Sequence, residues 1–147
     1  MSRFLPTRHR WRVLEAMTAL ASVTLLLRIL PFRTVMRLAA SSAWPADDEP
    51  APGRTTHPLA TSVGAAVNRA AARLPWHSSC LRRALAGRFM LLRRGFPSSV
   101  VFGVAKRAGQ IHAHAWLVAG GGIVCGGRDR AGFTPIAVLR EQKPTDA

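Results

Sequence analysis

Residues 80–118 switch from a helical to a strand-like hydrophobic repeat, and this switch limits the fold more than any other feature of the chain. The first part carries apolar residues at spacings of four, four and three: Leu81, Leu85, Phe89 and Leu92. This spacing predicts an amphipathic helix that begins near Cys80. The second part alternates, so that His112, His114 and Trp116 share one face of a strand. A helix followed by an antiparallel meander predicts an α+β fold.

Further repeats and turn residues divide the rest of the chain. We expect the following helices and then strands: 11–30, Phe32–Ala40 and Thr61–Leu74; Ser98–Val104, Ile111–Val118, Ile123–Cys125 and Phe133–Leu139. Pro31 and Pro75 end two of these helices. Residues 41–58 hold four prolines and no hydrophobic repeat, which predicts a linker. We therefore expect an amino-terminal helical segment with its linker over 1–58 and a second domain over 59–147.

The charge of the chain is strongly positive. Its 147 residues include 21 Lys plus Arg against 7 Asp plus Glu, which gives a formal net charge of +14. Such a surplus attracts nucleic acid, anionic lipid or an acidic partner without distinguishing among them. No tight basic cluster alternates with stacking aromatic residues, so a platform for single-stranded nucleic acid lacks support. We expect most of the arginines on solvated helix faces.

The apolar run from Ala16 to Leu27 is too short to span a membrane. Glu15 and Arg28 bracket only twelve residues, whereas a membrane-spanning helix needs about 20. The basic residues ahead of it resemble the start of a signal peptide, but Arg28 interrupts the run too early. We expect a buried or partner-facing helix in a cytoplasmic protein. Contact of this basic, leucine-rich helix with a membrane surface stays an open alternative.

The chain has two cysteines, Cys80 and Cys125. Two thiols do not make a disulfide framework, although a single bridge between them is possible. Neither C-x2-C nor H-x3-H spacing is present, so we expect no zinc site. Free cysteines are commonly small buried hydrophobes, which is the interpretation that suits Cys125. The position of Cys80 differs, because Ser78 and Ser79 are natural caps for the helix that follows.

Cys80 can therefore act as a nucleophile. The amino terminus of a helix carries partial positive charge and unpaired N–H groups, which favour a thiolate. A nearby imidazole can take or return the proton, and thiols activated in this way cleave amides. The imidazole belongs to His112 or His114, which lie about 7 Å apart on one strand face.

Four segments of the chain resemble the transglutaminase-like peptidases that process lasso-peptide precursors: Trp76-His-Ser-Ser-Cys80-Leu-Arg-Arg-Ala-Leu, Leu91-Leu-Arg-Arg-Gly-Phe-Pro, Val101-Phe-Gly-Val and Ala113-His114-Ala115-Trp116. The specific motifs span roughly residues 60–140. The resemblance implies a papain- or transglutaminase-like core and a cysteine protease without a cofactor, which removes the leader from a ribosomally made precursor. It also implies two partners, a small leader-binding protein and an ATP-dependent macrolactam cyclase.

The resemblance further implies a Cys-His-Asp triad. Cys80 matches the nucleophile, and His114 stands in the family's His-Ala-Trp motif as general base and acid. The carboxylate belongs twelve residues after this histidine, where the chain has Gly126. Asp129 is the only acidic residue between His114 and Glu141, so it is the default third member. Otherwise the pair acts as a dyad, or a backbone carbonyl or amide completes it.

A second class of function stays open at this point. The chain could be a basic binding or scaffold protein whose cysteine and histidines are structural, and which contacts nucleic acid or an anionic membrane through its arginines. Labelling of a reactive thiol separates the two classes.

Overall fold

The computed structural model describes residues 7–40, 57–126 and 132–139. Four helices precede four strands: α1 Thr7–Ile29, α2 Phe32–Ala40, α3 Pro58–Arg73, α4 Cys80–Leu92, β1 Ser98–Arg107, β2 Gln110–Ala119, β3 Gly122–Cys125 and β4 Thr134–Leu139. The strands form one antiparallel sheet in the order β3-β2-β1-β4. The α+β class is confirmed. The simple meander was wrong, because β4 pairs with β1 at the far edge instead of following β3.

Helix α3 begins earlier than expected. The sequence predicted a start at Thr61, but Pro58 is the first helical residue. Proline suits the first turn of a helix because its missing N–H would have no helical partner there. The Nδ1 atom of His57 caps the helix by accepting a hydrogen bond from the Leu59 N–H at 3.2 Å. The rest of the predicted linker, residues 41–56, lies outside the described residues, and the domain boundary there stays a prediction.

One hydrophobic core joins the helices to one face of the sheet. Buried residues of α1 belong to the same cluster as residues of α3, α4 and β2: Val13, Ala16, Leu20 and Val23. On the sheet side this cluster includes Ala115 and Leu117 of β2. Among the helices that the structure describes, none combines the length and hydropathy that a membrane crossing requires.

Helix α4 is covered on more sides than the sequence indicated. Of the expected apolar stripe, only Leu85 is fully buried, and the buried residues lie around most of the helix: Ala84, Leu85, Ala86, Gly87, Arg88, Met90 and Leu91. Arg88 is 1% exposed and donates hydrogen bonds to the carbonyl and the hydroxyl of Ser98. A buried guanidinium needs such partners because desolvation of a charge is costly. The sequence did not predict burial of Arg88, because an amphipathic repeat implies that the arginines lie on a solvated face of the helix.

A close contact between α3 and β3 fixes the end of the sheet next to Gly126. A Cβ on Gly64 would overlap the carbonyl oxygen of Val124, so α3 approaches β3 with no side chain between them. Cys125 ends β3 and pairs with Leu117 of β2. The backbone that follows β3 therefore starts from a fixed position.

An ion pair ties α1 to the end of α4. The carboxylate of Glu15 lies 2.6 Å from Arg94 Nη2 and 3.2 Å from Arg93 Nη1. The hydrogen bond from Arg94, more than any other effect, lowers the pKa of Glu15 below its ordinary value. The charged carboxylate is thus favoured in the folded state.

We expect Glu15→Gln to lower the free energy of unfolding by about 1 kcal/mol at pH 7. Because the folded-state pKa is depressed, this stabilisation is complete above the unfolded pKa of about 4.3 and is lost as the pH falls through the lower folded value. Urea unfolding of both proteins at several pH values measures the difference. Arg93→Gln should have a smaller effect, since the Arg93 side chain is 73% exposed. A difference that is unchanged in strong acid would contradict the role of the carboxylate.

Candidate active site

Cys80 is the first residue of α4, and its surroundings hold the start of the helix firmly. The hydroxyl of Ser79 caps the helix by accepting from the Arg82 N–H at 3.4 Å. The side chains of Arg82 and Arg83 donate back to the carbonyls of His77 and Ser78, at 3.3 and 3.1 Å. Cys80 itself is half-buried. A thiol here lies beside the unpaired N–H groups of a helix terminus, which stabilise negative charge.

The segment before Cys80 also contains a buried hydroxyl. Ser78 is 2% exposed, and its Oγ has no hydrogen-bond partner among the described residues. A buried hydroxyl without a partner is unusual, since most such groups are satisfied. Ser78 therefore offers a free donor next to the start of α4.

Cys125 has a different environment. It is 2% exposed at the end of β3, and a Cβ on Gly87 of α4 would lie 3.7 Å from its sulfur. Burial raises the pKa of Cys125 to about 12, although the charge of Arg83 opposes the rise. The thiol is therefore neutral at physiological pH, as a structural cysteine should be. Both cysteines are free, so the bridge that the sequence left open is not formed.

His114 lies in the middle of β2 with its ring buried. It is 8% exposed, and its ring centroid lies 5.9 Å from that of Trp116 and 5.2 Å from that of Phe133. Its Nε2 atom lies 2.9 Å from the carbonyl oxygen of Gly126. A carbonyl only accepts hydrogen bonds, so Nε2 carries the hydrogen and the neutral ring has a bare Nδ1. The ring is thereby fixed in one tautomer, with one basic nitrogen available.

His112 differs from His114 in burial and in its partners. It is exposed near the start of β2, and no hydrogen bond to its ring occurs within the part of the chain that the structure describes. The structure thus gives a ring partner to His114 and none to the alternative. This difference favours His114 as the candidate base.

The predicted third member of the triad, Asp129, falls outside the described residues. Glu15 is the only acidic residue within the described ranges, and Arg93 and Arg94 bind it. Gly126, at the position where the family pattern has a carboxylate, supplies a backbone carbonyl. Side-chain patterns do not reveal backbone acceptors. The only sequence signal for Gly126 was its spacing from His114.

The helix and the strand that carry the two candidate groups are neighbours. Helix α4 packs against β2, where Leu117 faces the helix layer. Trp116 belongs to a smaller cluster on the other face, and His114 lies on that same face beside Trp116 and Phe133. Cys80 packs against the core cluster on the helix side. No hydrogen bond joins Cys80 to His114 in the described structure.

No three His, Cys, Asp or Glu side chains of the described ranges come close enough together to hold a metal ion. The described residues place a cysteine at the capped start of α4 and a buried, oriented histidine on the antiparallel sheet against which α4 packs. The chain belongs to the transglutaminase-like superfamily, whose core family model matches residues 7–138. The match includes α1 and α2. Such a fold is consistent with activity of the cysteine-protease type. Neither a curated protein nor a solved structure shows a significant match.

Proposed function

We propose that this chain is a cysteine peptidase that removes the leader peptide from a lasso-peptide precursor. The observation that carries the proposal is the arrangement around two residues. Cys80 begins a capped helix that packs on β2, and the Gly126 carbonyl holds Nε2 of His114 on that strand, which leaves Nδ1 as the candidate base. The superfamily supports a thiol-dependent reaction. The motifs around both residues support the precursor as substrate.

The reaction has two halves. The Cys80 sulfur attacks the carbonyl carbon at the junction of leader and core, and His114 Nδ1 takes the thiol proton. The carbon–nitrogen bond then breaks, and the imidazolium gives its proton to the departing amine. Water attacks the resulting thioester, which releases the carboxylate of the leader and restores the thiol. The N–H of Cys80 and a donor from residues 76–79, where the Ser78 hydroxyl has no partner among the described residues, stabilise the oxyanion.

The proposal includes two partners and a compartment. A small leader-binding protein presents the precursor, and an ATP-dependent cyclase closes the macrolactam on the core that this chain releases. Because the cyclase consumes ATP, we place the reaction in the cytoplasm. The support for these partners is the resemblance of the motifs around Cys80 and His114.

Alkylation by iodoacetamide tests whether Cys80 is the reactive thiol. We expect one equivalent to add to Cys80 and none to Cys125, because burial keeps the second thiol neutral. Intact-mass and peptide-mass spectrometry measure the site and the rate. A lasso-precursor peptide, added with its leader-binding protein, should slow the reaction. Equal labelling of both cysteines, or a rate that the precursor leaves unchanged, would contradict the proposal.

A second candidate function is contact with an anionic surface, and one observation favours it. Five large apolar side chains of α1 and α2 are more than half exposed: Trp11, Leu14, Leu25, Ile29 and Phe32. Exposed arginines accompany them: Arg8, Arg10, Arg28, Arg33 and Arg37. Apolar and basic residues on one helix suit an anionic membrane surface. Salt-sensitive binding to vesicles that survives Cys80→Ala, without any precursor cleavage, would support this function instead.

A further inference from the structure

We propose that the backbone carbonyl of Gly126 replaces the triad carboxylate and positions His114 for catalysis. The inference rests on the proposed function for its catalytic meaning. Its structural content stands on the described contacts alone. Gly126 is a positioning residue, since it acts on the substrate only through the imidazole.

The hydrogen-bond capacity of the ring supports the carbonyl. A neutral imidazole has one N–H, and the Gly126 oxygen accepts it at 2.9 Å. Any carboxylate in the role of Asp129 would have to displace this carbonyl, because Nδ1 must stay bare to receive the thiol proton. The one acidic residue of the described ranges, Glu15, is bound to Arg93 and Arg94. The described structure therefore satisfies the orienting hydrogen bond without a carboxylate.

The backbone conformation explains why glycine stands at this position. Gly126 has φ +82°, in the left-handed region that side chains other than glycine rarely adopt. A Cβ there would lie 2.9 Å from the Ala115 carbonyl oxygen and 3.1 Å from the Trp116 Cβ. An aspartate at residue 126 would be strained and crowded. The chain thus brings its main chain, in place of a side chain, up to the histidine.

The two orienting groups differ in one physical respect. A carbonyl fixes the tautomer and the direction of the ring as well as a carboxylate does. It carries no full negative charge, so it stabilises the imidazolium less. The contribution of residue 126 should therefore be positional, and it should depend on the strength of the carbonyl as an acceptor.

An ester bond between residues 126 and 127 tests this contribution directly. Cys125 permits native chemical ligation of a thioester fragment, residues 1–124, to a synthetic peptide, residues 125–147, with glycolic acid in place of Gly127. The ester weakens the Gly126 carbonyl as an acceptor and leaves its position unchanged. We expect kcat for precursor cleavage to fall about fivefold with KM unchanged. The matched control carries its ester between Thr145 and Asp146 and should cleave like the all-amide protein.

A spectroscopic readout makes the test independent of turnover. All five histidines lie within residues 1–124, so this fragment can carry ¹⁵N-labelled histidine. Long-range ¹H–¹⁵N spectra distinguish the two neutral tautomers, and comparison with His114→Gln assigns the signal. We expect His114 to be the Nε2–H tautomer in the all-amide protein and to lose part of this preference in the ester. A His114 signal of the Nδ1–H form would overturn the inference.

Asp129 provides the competing outcome. If the carbonyl holds the ring, Asp129→Asn should keep kcat within about twofold. A hundredfold loss in Asp129→Asn, with full activity in the ester, would assign the role to the carboxylate and overturn the inference. Failure of the proposed function is distinguishable. The wild type would then release no more leader than Cys80→Ala does, while the tautomer measurement still decides the carbonyl contact.

Discussion

Cys80→Ala is expected to lower leader cleavage by about a thousandfold or more, whereas Cys125→Ser keeps it within about threefold. The two thiols lie in different environments. Cys80 is half-buried at a capped helix start, where the unpaired N–H groups of the helix stabilise negative charge. Cys125 is buried, and its pKa of about 12 keeps it protonated. The proposed mechanism therefore assigns the nucleophile to Cys80.

The measurement is kcat/KM for release of the leader, followed by mass spectrometry with the leader-binding protein present. Cys80→Ser provides a closer control of shape, and it should be nearly as inactive because a hydroxyl is a weaker nucleophile than a thiol. Far-ultraviolet circular dichroism checks that the variants fold. Loss of activity in Cys125→Ser with Cys80→Ala unaffected would move the chemistry to the other cysteine. Full activity in both Cys80→Ala and Cys125→Ser would contradict the thiol mechanism.

The sequence predicted the helices and strands of the described region well, because their periodicity reflects burial on one side. It predicted α2 with its observed bounds. It missed the start of α3, because histidine is an uncommon cap and Pro58 looked like part of the linker. It misplaced β4 in a meander, because neighbouring strands usually pair in sequence order. The return of β4 to β1 depends on tertiary packing that no local pattern records.

The candidate site was predictable only where a side chain carries the signal. The helix start made Cys80 a candidate, and the motif made His114 one; both assignments stay predictions. Arg88 was invisible, since a buried guanidinium depends on partners in a distant segment, here Ser98. The sequence allowed a backbone carbonyl or amide as the third member without indicating which residue supplies it, because a main-chain acceptor looks the same at every residue. Its selection requires the three-dimensional course of the chain after β3.

His114→Gln is expected to lower cleavage by about a thousandfold, and His112→Gln by no more than about threefold. Glutamine is informative at residue 114 because its side-chain amide can still donate a hydrogen bond to the Gly126 carbonyl. It cannot accept the thiol proton or return a proton to the leaving amine. His112 is exposed and has no described ring partner, so its loss should leave the site intact.

Two measurements separate proton transfer from folding. The thermal midpoint of His114→Gln should stay close to that of the wild type, because the substitution keeps a hydrogen bond to Gly126. The rate of Cys80 alkylation should fall in His114→Gln and not in His112→Gln, since the proposed mechanism gives the thiol proton to His114. If His112→Gln were the inactive variant, the exposed histidine would be the base. The buried ring of His114 would then be structural. Its hydrogen bond to Gly126 would stabilise the sheet without contributing to the reaction.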